Sequence, residues 1–245
     1  MPDEPVLAVL LFSTLATLLA ALGILPFLGG RRPAAVWIAG AYALASGLML
    51  GAGHLLMSRG LERGAVSVVA GAAAGVLYAW WIKRYTGAHV VDRRPQAADQ
   101  EGLVYRPLLE NMLHAAAEGV AIGVAMVLEI KLGIFVALAL AVHNIGEAMA
   151  LTDTLHRRGI SIGEAAGLCV GTNVPQPLLA LAVFALDPVL TGLLPAALGF
   201  AAGAMVFLVL TELLPASYER GRGTVIALVV SAGAGAVILL EDFFV

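Results

Sequence analysis

Two neighbouring apolar stretches decide the fold of this 245-residue chain: LLENMLHAAAEGVAIGVAMVL at Leu108–Leu128 and LGIFVALALAVHNIGEAMAL at Leu132–Leu151. Each has about the ~20 residues that a helix needs to cross a hydrocarbon core ~30 Å thick. They are separated by a very short connection, so we expect an antiparallel helix pair. Composition extends this prediction, because 60% of all residues are hydrophobic and only 13% are charged. Soluble domains carry roughly 25% charged residues, so the sequence predicts an integral protein of a lipid bilayer.

The remaining apolar runs predict six further membrane helices. With the first pair they give an all-α bundle of eight helices that occupies residues 1–245 as a single domain. The predicted helices are 5–28, 34–57, 65–82, 108–128, 132–151, 162–186, 188–214 and 223–240. Residues 83–106 are predicted to form a solvated cytoplasmic loop. The first apolar run lacks a preceding positive charge, so we expect a retained helix and not a signal peptide. G-x-x-x-G spacings at 71/75, 119/123 and 199/203 predict close helix packing.

Basic residues mark one side of the predicted bundle. One set of loops carries eleven of them, namely Arg31, Arg32, Lys83, Arg84, Arg93, Arg94, Arg106, Arg157, Arg158, Arg220 and Arg222. The opposite set carries three, namely Arg59, Arg63 and Lys131. Cytoplasmic loops attract Lys and Arg, so both termini are expected outside, and all eight helices are needed for that count. The net charge of −3 suggests no nucleic-acid partner, and the single Cys169 excludes an intrachain disulfide or a multi-cysteine metal site.

Ionisable residues within the paired stretches indicate a binding site. His114 and Glu118 lie in the fourth predicted helix, and His143 and Glu147 lie in the fifth. Each pair has H-x-x-x-E spacing, which places both side chains on one face of its helix. At a rise of ~1.5 Å per residue, antiparallel helices bring His114 level with Glu147, and Glu118 level with His143. Ionisable groups at membrane depth are rare and usually functional.

These four side chains offer the mixed nitrogen and oxygen ligands that a divalent transition metal accepts. Zn²⁺ is the first candidate, and Fe²⁺, Mn²⁺, Co²⁺ or Cd²⁺ could use the same ligands. Two carboxylates also balance the charge of one such ion; without it they would need protons or imidazolium partners. The alternative is a set of interhelical His–Glu hydrogen bonds with no metal. One pair alone would favour that alternative, whereas two pairs in register favour a metal.

The chain resembles ZIP (Zrt/Irt-like) metal transporters, in a bacterial branch, over nearly its whole length. HAAAEG at 114–119 matches the H-N-x-P-E-G motif of the family's fourth helix, and HNIGE at 143–147 matches the related motif of its fifth. Residues 202–215 resemble the family's A-G-A-M-L…E-L-I-P stretch, and 47–50 match its G-x-M-L. The resemblance implies alternating access, a homodimer, and metal uptake, which we expect across a bacterial inner membrane.

Departures from the family motifs predict a single metal. Family members often bind a second, adjacent metal through additional ligands, but Ala115 and Gln176 replace two of these, and only Asn144 remains. Candidate outer ligands are Asn144, Asn173 and Gln176; the last two could equally be polar residues that bond within the bundle. Candidates for the entrance path are His54 and Asp242, and Glu212 matches a family position associated with the exit.

The function predicted from the sequence is therefore transport, without enzymatic activity and without a cofactor. The transported ion would be a divalent metal, zinc first, moving toward the cytoplasm through one His₂Glu₂ site. The sequence has no G-x-x-x-x-G-K-[ST] motif, so transport is expected to be secondary or facilitated. Two alternatives stay open: an intramembrane zinc-dependent hydrolase, and a membrane protein that binds metal without transporting it. Four protein ligands argue against the open coordination position that a hydrolase requires.

Overall fold

Every regular element in the described part of the chain is helical. The computed structural model describes residues 5–29, 32–86, 100–187 and 191–244. Helix α1 (Pro5–Leu19) continues as a 3₁₀ helix (Ala20–Phe27), and the later helices are α2 (Ala35–Thr86), α3 (Gln100–Leu128), α4 (Ile130–His156), α5 (Ile162–Asn173), α6 (Pro175–Ala185), α7 (Leu194–Leu208), α8 (Leu214–Arg220) and α9 (Gly223–Phe244). A π-helical turn at Val209–Leu213 joins α7 to α8. The all-α prediction is confirmed.

Seven helical stretches in the described residues are long and apolar enough to cross a membrane, where the sequence predicts eight. The predicted second and third helices both lie in α2, where two helices join at a kink at Gly64, and the 52 residues have a summed helical length of ~78 Å at ~1.5 Å per residue. That length is more than twice the ~30 Å hydrocarbon core. The backbone leaves helical geometry at Gly64, within the predicted connection between those two helices. The two helices on either side of Gly64 therefore correspond to the two predicted helices, although together they count as one of the seven stretches.

Other predicted boundaries differ from those of the structure. Helix α3 begins at Gln100 and α2 ends at Thr86, so the predicted 83–106 loop is helical at both ends. Residues 87–99, including Arg93 and Arg94, lie outside the described part. The predicted 188–214 helix begins at Leu194 in the structure, and residues 188–190 are also outside the described part. The predicted 162–186 helix is divided, because Pro175 lacks an N–H and begins α6.

Glycine residues allow α2 and α7 to pack with their backbones in contact. A Cβ atom at Gly71 or Gly75 would overlap the backbone of α7. In the same way, a Cβ atom at Gly199 or Gly203 would overlap the backbone of α2. The two G-x-x-x-G pairs thus face each other, which is the close approach that their spacing predicts.

Helices α3 and α4 form the hairpin that positions the candidate site. Only Glu129 lies between them, and its backbone is extended, with φ −161° and ψ 126°. Gly133 packs directly against Met126, with no space for a side chain. These two helices are the most enclosed of the candidate spans, whereas α9 exposes large apolar side chains such as Leu239 and Phe243. A large exposed apolar surface of this kind is one that a bilayer would cover.

Candidate metal centre

The hairpin brings the four predicted ligands into one cluster. The Nδ1 atom of His114 lies 3.4 Å from Oε1 of Glu147, and Nε2 of His143 lies 3.0 Å from Oε1 of Glu118. These are the two cross-helix pairs that the sequence predicts to lie at the same depth along the helices. Within each helix, the His nitrogen and the Glu oxygen approach to 3.6 Å in α3 and 3.7 Å in α4.

The spacing of the donor atoms is compact enough for one ion. One potential ligand atom from each of His114, His143 and Glu147 lies within 4.8 Å of the other two. Glu118 is outside this group of three, although its Oε1 lies 3.6 Å from Nε2 of His114 and 3.0 Å from Nε2 of His143. The arrangement therefore offers two nitrogen and two carboxylate donors, a set that tetrahedral Zn²⁺ accepts. That these four residues bind a metal stays a prediction.

A backbone contact fixes the orientation of His143. Its Nδ1 atom lies 3.2 Å from the carbonyl oxygen of Ala45 on α2, and a carbonyl oxygen can only accept, so Nδ1 donates. In the neutral ring this leaves Nε2 with a lone pair, directed toward Glu118. Metal-binding histidines usually have such an orienting partner on their second nitrogen.

Several buried polar atoms of the cluster have no hydrogen-bond partner. Among the described residues, Nε2 of His114, Nε2 of His143 and Oε1 of Glu118 are buried side-chain atoms that make no hydrogen bond. Glu118 and His143 are fully buried, and His114 is 3% exposed. Lone pairs that converge in a dry interior require a proton or a cation between them. These atoms are therefore positioned either to share a proton or to hold a cation.

A cavity of about 260 Å³, here called the access cavity, leads away from this cluster. His114 and Glu147 lie in its wall, and so do Glu219 and Arg220 from the last turn of α8. Its polar wall residues also include Tyr42, Lys83, Glu110, Asn111, Thr154 and Glu212. The access cavity therefore connects the cluster to the end of the bundle where α2, α4 and α8 place basic residues in or just after their last turns. We call this the basic end.

Two of the three candidate outer ligands form an amide chain behind Glu118. Gln176 is fully buried, and its Nε2 donates to Oε2 of Glu118 at 3.2 Å. Its Oε1 accepts from Asn144 at 3.0 Å and from Thr17 at 3.3 Å. The Asn173 amide instead donates to the carbonyl of Cys169 in its own helix, at 2.9 Å. Of the three candidates, Gln176 contacts a predicted ligand, Asn144 contacts Gln176, and Asn173 bonds within α5.

The candidate path residues are divided between two locations. Glu212 lies in the wall of the access cavity, within the π-helical turn. His54 on α2 and Asp242 on α9 are exposed, and neither is part of that wall. The structure therefore associates Glu212 with the cluster and leaves the other two candidates at the surface.

Two wall residues, Glu110 and Lys83, were not among the candidates from the sequence. The sequence does indicate Glu110, because this residue precedes His114 by one turn. It extends the spacing of ionisable residues to 110, 114 and 118 on one helix face. The sequence does not indicate a role for Lys83 in the site, because its position at the end of an apolar run is typical of an interfacial residue. Only tertiary packing places it beside Glu212.

Two curated relatives are named as zinc transporters, while no family model matches the chain. The chain is 30% identical over 215 residues, or 85% of its length, to an Arabidopsis thaliana protein whose name provisionally assigns it as a zinc transporter. It is also 30% identical over 148 residues, or 60% of its length, to "Zinc transporter ZIPB" of Bordetella bronchiseptica. It spans 34% and 48% of the lengths of these two relatives. Both names describe transport and no catalysis, consistent with the prediction that the chain is not an enzyme. On these matches and the motifs at 114–119 and 143–147, the chain is similar to ZIP-type zinc transporters.

Proposed function

We propose that this protein carries a divalent transition metal across a membrane through a single site formed by His114, Glu118, His143 and Glu147. The observation that carries the proposal is the convergence of two His and two Glu side chains in a buried cluster, two of which, His114 and Glu147, line the access cavity. A permanently bound ion would not need a polar path to the end of the bundle. Zinc is the first candidate ion because the relatives' names specify zinc and because the ligand set suits it.

We also propose that the bundle crosses the membrane eight times, with α2 crossing twice around Gly64. The length of α2 supports this, since a single crossing uses less than half of its 52 residues. The basic end is then cytoplasmic, and both termini are outside. Metal that reaches the cluster would leave through the access cavity toward the cytoplasm, which makes the protein an importer, in a bacterial inner membrane.

Labelling of single introduced cysteines tests the orientation. The native Cys169 is buried, so it should react poorly with a membrane-impermeant maleimide. In intact cells, Asp242→Cys should be labelled, whereas Arg220→Cys should be labelled only after the membrane is permeabilised. Labelling of Arg220→Cys in intact cells would reverse the proposed orientation.

Zinc flux into proteoliposomes tests the transport function. The wild-type protein should accumulate zinc inside vesicles, and Glu118→Gln and His143→Ala should reduce the initial rate to background. Asp242→Asn is the comparison, because it removes an exposed carboxylate outside the wall of the access cavity and should lower the rate without abolishing flux. Zinc binding by the wild type without zinc flux would favour the alternative of a membrane protein that binds metal without transporting it. Zinc-dependent cleavage of a peptide or lipid would favour the hydrolase.

The assembly is a separate proposal that rests on the family resemblance. We propose a homodimer embedded in the bilayer. Mass photometry of the protein in lipid nanodiscs should give twice the mass of one chain, and a monomer mass across a range of protein concentrations would refute it.

A further inference from the structure

Lys83 is a largely buried cation in the wall of the access cavity. Only 13% of its side chain is exposed. Its Nζ atom lies 3.2 Å from Oε1 of Glu212 and donates to the carbonyl oxygen of Thr211 at 3.1 Å. An ammonium group removed from water requires partners of this kind, a carboxylate and a carbonyl. The position of Lys83 is therefore determined by two acceptors on a different helix.

The sequence explains why the Thr211 carbonyl is available to Lys83. In an α-helix this carbonyl would accept from the N–H of residue 215, but Pro215 has no N–H. The backbone here also departs from α-helical geometry, in the π-helical turn Val209–Leu213. Such turns are frequent at functional sites. The turn presents a carbonyl oxygen and the Glu212 carboxylate to the same cavity.

A second carboxyl lies close to this pair. Glu110 and Glu212 both line the access cavity, together with Glu147. The other base near them, Arg220, donates to the carbonyl of Ala216 at 2.9 Å and lies over the ring of Tyr42. Lys83 thus supplies the positive charge that contacts Glu212 among these carboxyls.

We propose that Lys83 is the internal counterion of the access cavity. Its ammonium occupies the position, between Glu212 and the Thr211 carbonyl, where a metal ion passing through the access cavity would otherwise be held. Carboxylate and carbonyl oxygens are ligands for divalent ions, so without Lys83 the same groups would retain the metal. Lys83 therefore keeps the path from the cluster to the basic end weakly binding, which allows release. This role rests on the proposed transport function.

Zinc stoichiometry and zinc flux of Lys83 variants test this role. In Lys83→Met the side chain keeps a similar length but loses the charged ammonium group. Each protein is loaded with zinc and then desalted. The wild type should retain one zinc per chain, and Lys83→Met should retain one more. Removing one ammonium a few ångströms from the ion should raise zinc affinity at this position about tenfold or more. Flux by Lys83→Met should fall by a similar factor, because the retained ion blocks the path.

Two further variants distinguish the charge of Lys83 from its packing. Lys83→Arg keeps the charge and should behave as the wild type in both assays. Lys83→Met/Glu212→Gln should lose the additional zinc, since it removes the carboxylate that would hold it. The proposal is overturned if Lys83→Met gains no zinc, if Lys83→Arg gains it too, or if the additional zinc survives Glu212→Gln. The number of zinc ions per chain is measured independently of flux. A wild type that binds zinc but does not transport it would therefore refute only the transport function.

Discussion

At the scale of single residues, the carboxylate of Glu118 has two different surroundings. Its Oε1 faces the imidazoles, while its Oε2 accepts from Gln176, whose own oxygen is held by Asn144 and Thr17. A carboxylate anchored on one oxygen presents the other in a fixed direction. Gln176 thus orients a predicted ligand without needing to touch the metal.

Replacing Gln176 with Met should therefore weaken zinc binding about tenfold, the lower end of the effect expected for a partner of a metal ligand. Met preserves most of the volume but removes the amide that donates to Glu118. Asn173→Ala is the comparison, because the Asn173 amide bonds to its own helix, and its zinc affinity should stay within about twofold of the wild type. Competition titrations with a zinc chelator measure the zinc affinities of both variants. Equal affinities for wild type and Gln176→Met would rule out the positioning role.

Removing a predicted ligand should have a much larger effect than removing a surface carboxylate. Glu118→Ala and Glu147→Ala each delete a donor atom from the cluster, so zinc binding should be lost. Asp242→Ala removes an exposed charge, so it should lower only the rate of uptake, and that effect should shrink as salt screens it. Zinc titrations and flux at two salt concentrations separate these classes. Undiminished zinc affinity in either Glu variant would contradict the ligand assignment.

Sequence spacing predicts the two cross-helix pairs of the cluster because they depend only on helical rise and a short turn. The distances of 3.4 Å and 3.0 Å agree with that register. The surroundings of Lys83 and Gln176 could not be predicted in the same way. Their partners, Glu212 and Glu118, lie on helices far away in sequence, so the contacts depend on how the whole bundle packs.

At the scale of helices, the close contact between α2 and α7 should be sensitive to a single methyl group. A Cβ atom at Gly71 would overlap the carbonyl of Ala196, so Gly71→Ala must separate the two backbones. Overpacking of this kind costs typically ~1–3 kcal/mol. Gly167→Ala is the control, because a Cβ atom there meets nothing within 4 Å. The thermal midpoint in detergent should fall for Gly71→Ala and stay near the wild-type value for Gly167→Ala; equal midpoints would mean that the interface has room.

The helices themselves were predictable from apolar run length, and their interruptions were less so. Gly64 lies in α2 between two helical arms, where the polar residues Arg59, Glu62 and Arg63 led the sequence to predict a loop. Short polar segments can remain helical when neighbouring helices hold both arms, as Arg59 shows by pairing with Glu241 of α9 at 2.7 Å. Hydropathy reports where a chain is apolar, and it does not report where a helix ends.

At the scale of the whole molecule, the cluster and the access cavity together make metal binding dependent on protons. A metal requires neutral imidazoles and ionised carboxylates, so protons compete with it at all four ligands. In the empty cluster, facing lone pairs such as those of His143 and Glu118 need a shared proton. The cavity gives that proton a path to the basic end. Metal and proton are therefore expected to exchange at one place.

Zinc binding should consequently release protons and weaken in acid. Protons bind the same imidazole and carboxylate groups as the metal, so affinity should fall as the pH drops from about 7 to about 5. Calorimetry in two buffers with different ionisation enthalpies counts the released protons directly, and His143→Ala should release fewer. If the wild type releases none and its affinity is constant across that range, the four residues do not form the metal site. If it releases protons, acidification on the basic side would lower occupancy, and metal would leave through the access cavity beside Lys83.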